Sequence, residues 1–215
     1  MPNSQNSIDA IIIGGGHNGL VCAYYLAKKG LKVHVYEKRS IVGGAAVTEE
    51  FHPGFRNSVA SYTVSLLNPE IIKDMKLKEY GLKVVKRPIS NFLPIDQSTY
   101  LKLGGGLEKT QNEFKRFSEK DAARLPEYYD RIEAVADVLR DLSIKTPPNP
   151  KQGIKAALNA ALQLWPIATK GNQVHRDVYD LFTKSARSFL DSWFENEHIK
   201  AAFGFDSIVG NYASP

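Results

Sequence analysis

Cysteine is nearly absent from this chain: Cys22 is the single thiol in 215 residues. One thiol excludes an internal disulfide, a Cys-x-x-Cys redox pair and a cysteine-rich zinc site. Any redox chemistry must therefore run on a bound cofactor, and Cys22 itself reads as a small packing residue of a helix. Long apolar runs are missing too. No stretch reaches the ~18 residues that a membrane-spanning helix requires. The segment from Met1 to Ser7 is short and polar and carries no charged side chain, unlike a signal or transit peptide. A cytoplasmic location is the expectation. Nor is there a dense basic tract: 28 Lys and Arg are scattered among 23 Asp and Glu, for a net charge of +5. Nucleic-acid binding lacks its clustered footprint, whereas anionic cofactors and anionic membrane surfaces suit the mild positive balance.

What is present is an ordinary globular composition, 43% hydrophobic and 24% charged, in a chain long enough for one or two domains. Ile8 to Ile13 is a short apolar run rich in β-branched residues, the pattern of a strand buried on both faces of a parallel sheet. The turn Gly14-Gly15-Gly16 follows, then a helix from about His17 to Lys29, with Leu20, Ala23, Leu26 and Ala27 at helical spacing and Gly30 as its stop. Lys32 to Tyr36 alternates as a second strand and closes on Glu37.

Lys38 to Phe55 reads as irregular, with turns at Gly43-Gly44 and Pro53-Gly54, and Ser58 to Leu67 shows no period. A short helix is expected at Pro69, capped by Asn68. Strands are expected at Leu82 to Arg87, Phe92 to Ile95 and Tyr100 to Leu103, the last two as a hairpin around Asp96-Gln97-Ser98. Helices follow: Leu107 to Phe117, then a long one opened by Ser118-Glu119-Lys120-Asp121, running toward Leu142 with a kink at Pro126. The proline-rich stretch 146–150 reads as a linker, Lys151 to Trp165 as a further helix, and Val174 to Phe203 as two or three short ones.

The chemistry lies in Gly14-x-Gly16-x-x-Gly19, because here it has its full context of a strand before, a helix after and a second strand ending in an acid. Gly14 permits the tight turn, Gly16 lets a pyrophosphate approach the backbone, and Gly19 lets the helix pack closely on the sheet. The free N–H groups and the dipole of the helix N-terminus attract the diphosphate. Glu37 lies at about the separation expected of an acid that accepts from ribose hydroxyls, and its charge disfavours the 2′-phosphate of NADP. FAD and NAD present the same ADP moiety, so the motif does not separate them.

Ile11 to Leu20, then Val35-Tyr36-Glu37-Lys38-Arg39, then Gly43 to Thr48, resemble the N-terminal end of the phytoene desaturase-like flavoproteins, FAD-dependent oxidoreductases related to the amine oxidases. Gly43-Gly44 is similar to that family's second FAD-contacting segment. The branch with a pyridine nucleotide-disulfide oxidoreductase domain resembles the chain further, at Gly43 to Phe55, Ser61-Tyr62, Leu66-Leu67, Phe114 to Pro126, Leu190 to Glu195 and 209–215. The resemblance implies a Rossmann-like α/β fold of the glutathione-reductase type, with a dinucleotide-binding segment over 1–66, a mixed β segment over 67–106 and a helical substrate region over 107–215.

It further implies FAD held by Gly14, Gly15, Gly16, His17, Asn18, Gly19, Glu37, Lys38, Gly43, Gly44 and Ala45. In such enzymes a hydride passes from substrate to flavin. Two departures stand out. Ala45 occupies a position where many relatives carry a phosphate-contacting Arg, and Cys22 alone cannot perform disulfide chemistry. Proteins of this family are more than twice as long, so the chain is expected to be an N-terminal fragment whose missing C-terminal half would complete the flavin site. Weak FAD binding and little turnover are the expectation for the chain alone.

Alternatives of other classes are a non-catalytic nucleotide-binding or interaction module and an NAD-dependent dehydrogenase. His34, His52, His175 and His198 lack metal-ligand spacing and read as surface or structural residues. Arg56, Ser61 and Tyr62 read as loop packing, or, by resemblance, as neighbours of the flavin. The helix from Lys151 sets Ile154, Leu158, Leu162 and Trp165 on one face. Burial against neighbouring helices is the commoner cause of such a stripe. The rarer one is peripheral contact with a membrane that delivers a lipophilic small-molecule substrate.

Overall fold

Local sequence rules account for most of the elements in the computed structural model, which describes residues 7–147, 149 and 153–208. The N-terminal hexapeptide, the prolines at 148 and 150, the helix start expected at 151 and the 209–215 segment lie outside the described residues. The chain divides into two compact units, 1–85 and 86–215.

In the first unit, strand β1 (Ala10–Ile13) pairs in parallel with β2 (Val33–Tyr36), Ala10 opposite Val33 and Ile13 opposite Tyr36. Helix α1 (His17–Lys28) makes the crossover. It ends as the sequence requires: the Gly30 amide donates to Ala27 O and the Leu31 amide to Leu26 O, the paired bonds of a Schellman stop. A 3₁₀ turn over Gly44–Ala46 leads into a hairpin of β3 (Thr48–His52) and β4 (Phe55–Ser58), reversed at Pro53-Gly54. This hairpin corrects the irregular reading of Lys38 to Phe55. Every residue of β3 is exposed, so no apolar alternation marked it. Helix α2 (Pro69–Asp74) opens as expected, with Asn68 Oδ1 accepting from the Glu70 amide at 2.8 Å. Its Asp74 ties back to α1: the carboxylate accepts from Tyr25 Oη and Lys28 Nζ, and the Asp74 carbonyl from Tyr24 Oη.

Two expectations for this unit fail. The β1 strand is not buried on both faces, because only β2 lies beside it and only α1 covers it. Ile12, Val33 and Val35 are half-buried, while Ile11, Ile13, His34 and Tyr36 are exposed. Residues 82–87 form no strand, since no neighbouring strand among the described residues offers their amides a ladder.

The second unit holds the larger core. Strands β5 (Asn91–Pro94) and β6 (Tyr100–Leu103) form the expected hairpin. In its turn, Asp96 Oδ1 accepts from the Ser98 and Thr99 amides, both at 2.8 Å, which pushes the carboxyl down to about 2. Helix α3 (Leu107–Lys115) follows, then α4 (Glu119–Ser143), capped by Ser118, which accepts from the Asp121 amide.

Pro126 lies inside α4 and has no N–H for the carbonyl of Ala122, a buried residue. Gln111 Nε2 from α3 donates to that oxygen at 2.9 Å instead. Helices α5 (Ile154–Ala168), α6 (Asn172–Thr183), α7 (Ala186–Asp191) and α8 (Glu197–Ile208) complete the unit. Leu101, Phe114, Leu125, Tyr128, Trp193 and Ile199 are among the buried core residues. Burial pushes the Tyr128 phenol well up. Buried Asp121 accepts from the Glu195 and Asn196 amides at 2.9–3.2 Å, pinning the α7–α8 junction to α4.

Candidate dinucleotide site

The turn between β1 and α1 is shaped by atoms that leave no room for side chains. Gly14 adopts φ +100°, a conformation that L side chains rarely take. A Cβ on Gly19 would lie 2.2 Å from the Gly14 carbonyl oxygen, and one on Gly44 would lie 2.9 Å from Gly16 Cα. The backbone of the glycine pair therefore runs directly against that of the first glycine turn. The two are joined by the Gly43 amide donating to Gly15 O at 2.7 Å, with a parallel bridge between Gly16 and Gly43.

Gly16 is the N-cap of α1, no side chain caps the helix, and its first turn contains no acid. The amides of His17, Asn18 and Gly19 have no acceptor within the helix by its geometry. His17 and Asn18 are exposed at this end. An anion meets here a helix N-terminus and a glycine-lined backbone surface, and both favour negative charge.

Glu37 stands at the end of β2. Its Oε2 accepts from the Gly15 amide at 2.7 Å and its Oε1 from the Arg39 amide at 2.9 Å. These two donors, Arg39 first, hold its carboxyl below the ordinary glutamate range. A carboxylate has about four acceptor sites, so both oxygens keep capacity for ribose hydroxyls. Lys38 and Ala45 are exposed beside this arrangement.

The structure thus brings Gly14, Gly15, Gly16, Gly19, Glu37, Gly43 and Gly44 into one neighbourhood. The buried Gly15 has a larger part than the motif assigns it: it donates to Glu37 and accepts from Gly43, and a Cβ there would meet Val42 at 3.0 Å. The ion pair of Arg39 with Glu49, which ties the loop after β2 to β3, is a further contact that sequence reasoning missed. Both belong to residues far apart in sequence, and no local spacing signals them.

Other candidates fall elsewhere. Arg56, Ser61 and Tyr62 are exposed, so loop packing does not explain them. Cys22 is exposed on α1, contrary to its reading as a packing residue, because only one face of that helix is covered. The four remaining histidines are exposed as well: His175 bonds the Ile167 carbonyl at 2.8 Å, and His198 meets the Phe117 ring edge-on. No helix among the described residues is long and apolar enough to cross a membrane.

A βαβ crossover, a glycine turn at a helix N-terminus and an acid closing the second strand define a Rossmann-like dinucleotide-binding domain. Residues 12–75 match the family of NAD(P)-binding Rossmann-like domains, and the N-terminal unit is a domain of this class.

Among particular proteins, the chain is similar to pyridine nucleotide-disulfide oxidoreductase domain-containing protein 2 of Rattus norvegicus. The two are 37% identical over 96% of this chain and 38% of the relative. It is 38% identical to a limonene dehydrogenase polypeptide of Castellaniella defragrans, over 60% of this chain and 24% of that protein. It is 27% identical to 4,4'-diapolycopen-4-al dehydrogenase of Metabacillus indicus, over 92% of this chain and 38% of that protein. The chain thus spans 38% or less of the length of these curated relatives.

Proposed function

We propose that the chain is the N-terminal, ADP-binding part of an FAD-dependent oxidoreductase. The observation that carries this reading is the seating of Gly43-Gly44 against Gly16, with the Gly43 amide bonded to Gly15 O. It places a second glycine segment beside the turn at the α1 N-terminus, as the resemblance to phytoene desaturase-like flavoproteins leads one to expect. Two relatives bear dehydrogenase names, which supports redox chemistry of the same kind.

The residues present fit the ADP half of FAD. The amides at the start of α1 and the bare backbone of Gly16 and Gly44 face the diphosphate, with no Arg at Ala45 to assist them. Glu37 accepts from the ribose hydroxyls. When bound, FAD takes a hydride from a C–H or C–N position of the substrate, and an external acceptor reoxidises it. This chain's own residues bind and orient the nucleotide. The isoalloxazine and substrate walls belong to the further polypeptide that the relatives possess, here the partner of this segment. Exposure of Ile11, Ile13 and Tyr36 on the bare face of the β1–β2 sheet is in keeping with such a partner.

A second reading, an NAD-dependent dehydrogenase, is favoured by the name of the matching domain family. Titration of the 215-residue chain with FAD, ADP, NADH and NADPH, followed by calorimetry and by NMR of the glycine amides, separates the two. FAD and ADP are expected to compete weakly for one site and to perturb Gly14 to Gly19, with NADPH inert. Gly44→Ala and Glu37→Ala should each weaken ADP binding at least about tenfold, since one fills the diphosphate approach and the other removes the ribose acceptor. Binding of NADH that FAD does not displace would overturn the flavin reading. Tight, stoichiometric flavin in the purified chain would overturn the half-built site.

A further inference from the structure

Helix α5 is inverted relative to a helix that packs on a core. Its half-buried positions are Ala156, Ala160, Gln163 and Ile167, recurring one helical turn apart along one face. That inward face is mostly small or polar. The large apolar residues point the other way: Ile154 is 89% exposed, Leu158 61%, Leu162 65% and Trp165 68%. The expected burial of this stripe is therefore overturned. Its inner face is instead held by polar bonds, Lys145 Nζ donating to the Gln163 carbonyl at 3.3 Å and His175 Nε2 meeting the Ile167 carbonyl at 2.8 Å.

The charge around this helix is one-sided. From Leu142 to Arg176 the sequence contains Lys145, Lys151, Lys155, Lys170 and Arg176 and no Asp or Glu. These are five of the 28 cations and none of the 23 acids, so the net +5 of the whole chain equals the excess of this one stretch. A second copy of the same stretch would bring the same five cations and be repelled. An outward face built of Ile, Leu, Leu and Trp offers a protein partner apolar area with little hydrogen-bonding specificity. Both properties suit a surface that is anionic, apolar beneath its charge and undemanding in shape.

We propose that α5 is a peripheral membrane-binding helix for anionic lipid. It lies in the plane of the interface, Ile154, Leu158, Leu162 and Trp165 enter the boundary between headgroups and acyl chains, and the flanking cations meet lipid phosphates. This places the helical unit at a bilayer independently of which nucleotide the N-terminal unit binds.

The test mixes the 215-residue chain with vesicles of equal parts phosphatidylcholine and phosphatidylserine, and separately with pure phosphatidylcholine, reading co-sedimentation and quenching of tryptophan emission by brominated acyl chains. Trp193, the other tryptophan, is buried, so Trp165→Phe supplies the blank. Expected are co-sedimentation with the anionic vesicles, weakened by salt, and quenching that disappears in Trp165→Phe. Leu158→Ser with Leu162→Ser should lower partitioning at least about tenfold with an unchanged circular dichroism spectrum, the substituted side chains being exposed. Lys155→Glu, which leaves the stripe intact, should weaken it in the same direction.

A wild-type chain that stays in the supernatant overturns the proposal, as does quenching that persists without Trp165. So does a concentration-dependent dimer that the leucine substitutions abolish, since it would assign the stripe to a second copy.

Discussion

Glu37 spends an acceptor site of each carboxylate oxygen on a backbone N–H, and this sets how the nucleotide turn responds to acid. The carboxyl is held below the glutamate range by the amides of Arg39 and Gly15, so the folded turn favours the charged form. Its contribution is fully present above the unfolded value near 4.5 and is lost as pH falls through the lower, folded value. Hydrogen exchange at the Gly15 and Arg39 amides should therefore lose protection on acidification below about pH 4.5. Glu37→Gln should flatten that pH dependence, and protection unchanged by pH in the wild type would show that the carboxylate does not hold the turn. At this scale the sequence is readable where sterics demand it. Gly19 must be glycine because of the Gly14 carbonyl, and that demand appears as a letter in the chain. Gly15 acts through its N–H and C=O, which almost every residue has, so its part was invisible. Cys22 was misread for a different reason: helical spacing names a face but not what covers it.

The elements were legible wherever a local interaction terminates or starts them. Asn68, Ser118 and the Asp96 turn act within three residues of themselves, a range over which sequence and structure coincide. Where the determinant is a neighbour far along the chain, the reading failed. The β-branched Val84-Val85 lacks an adjacent strand, β3 lacks a buried face, and the stripe of α5 faces away from the core. Pro126 shows the same dependence in reverse: a residue that should disrupt α4 is tolerated because Gln111, on another helix, bonds the Ala122 carbonyl that Pro126 leaves without its donor. Gln111→Ala should then cost about 1 kcal/mol by stranding a buried acceptor. In a Pro126→Ala background the backbone N–H is restored and the same substitution should cost little. Denaturant melts of the four chains give the coupling directly. Equal losses in both backgrounds would mean that Gln111 does not compensate for the proline.

The two units of the whole molecule differ in how much of their own apolar surface they cover. All the buried hydrophobic residues except Val47 lie in the second unit, where α3, α4, α7, α8 and the β5–β6 hairpin share one cluster. The first unit has the dinucleotide turn but only a two-stranded parallel sheet, with a helix on one face and Ile11, Ile13 and Tyr36 open on the other. Parallel sheets are ordinarily covered on both faces, and burial of apolar surface is the main term offsetting chain entropy. The turn's geometry is thus locally specified, by glycines and by Glu37, on a platform with little core beneath it. Residues 86–215 expressed alone should consequently melt in one cooperative transition with dispersed amide resonances. Residues 1–85 alone should bind a hydrophobic dye, show poor dispersion and melt without a sharp midpoint. Adding ADP should sharpen the second sample, since a ligand that binds only the folded form stabilises it by mass action. A cooperative, well-dispersed 1–85 would show that the βαβ unit needs no further cover, and the partner polypeptide would then be needed for the flavin wall rather than for the fold.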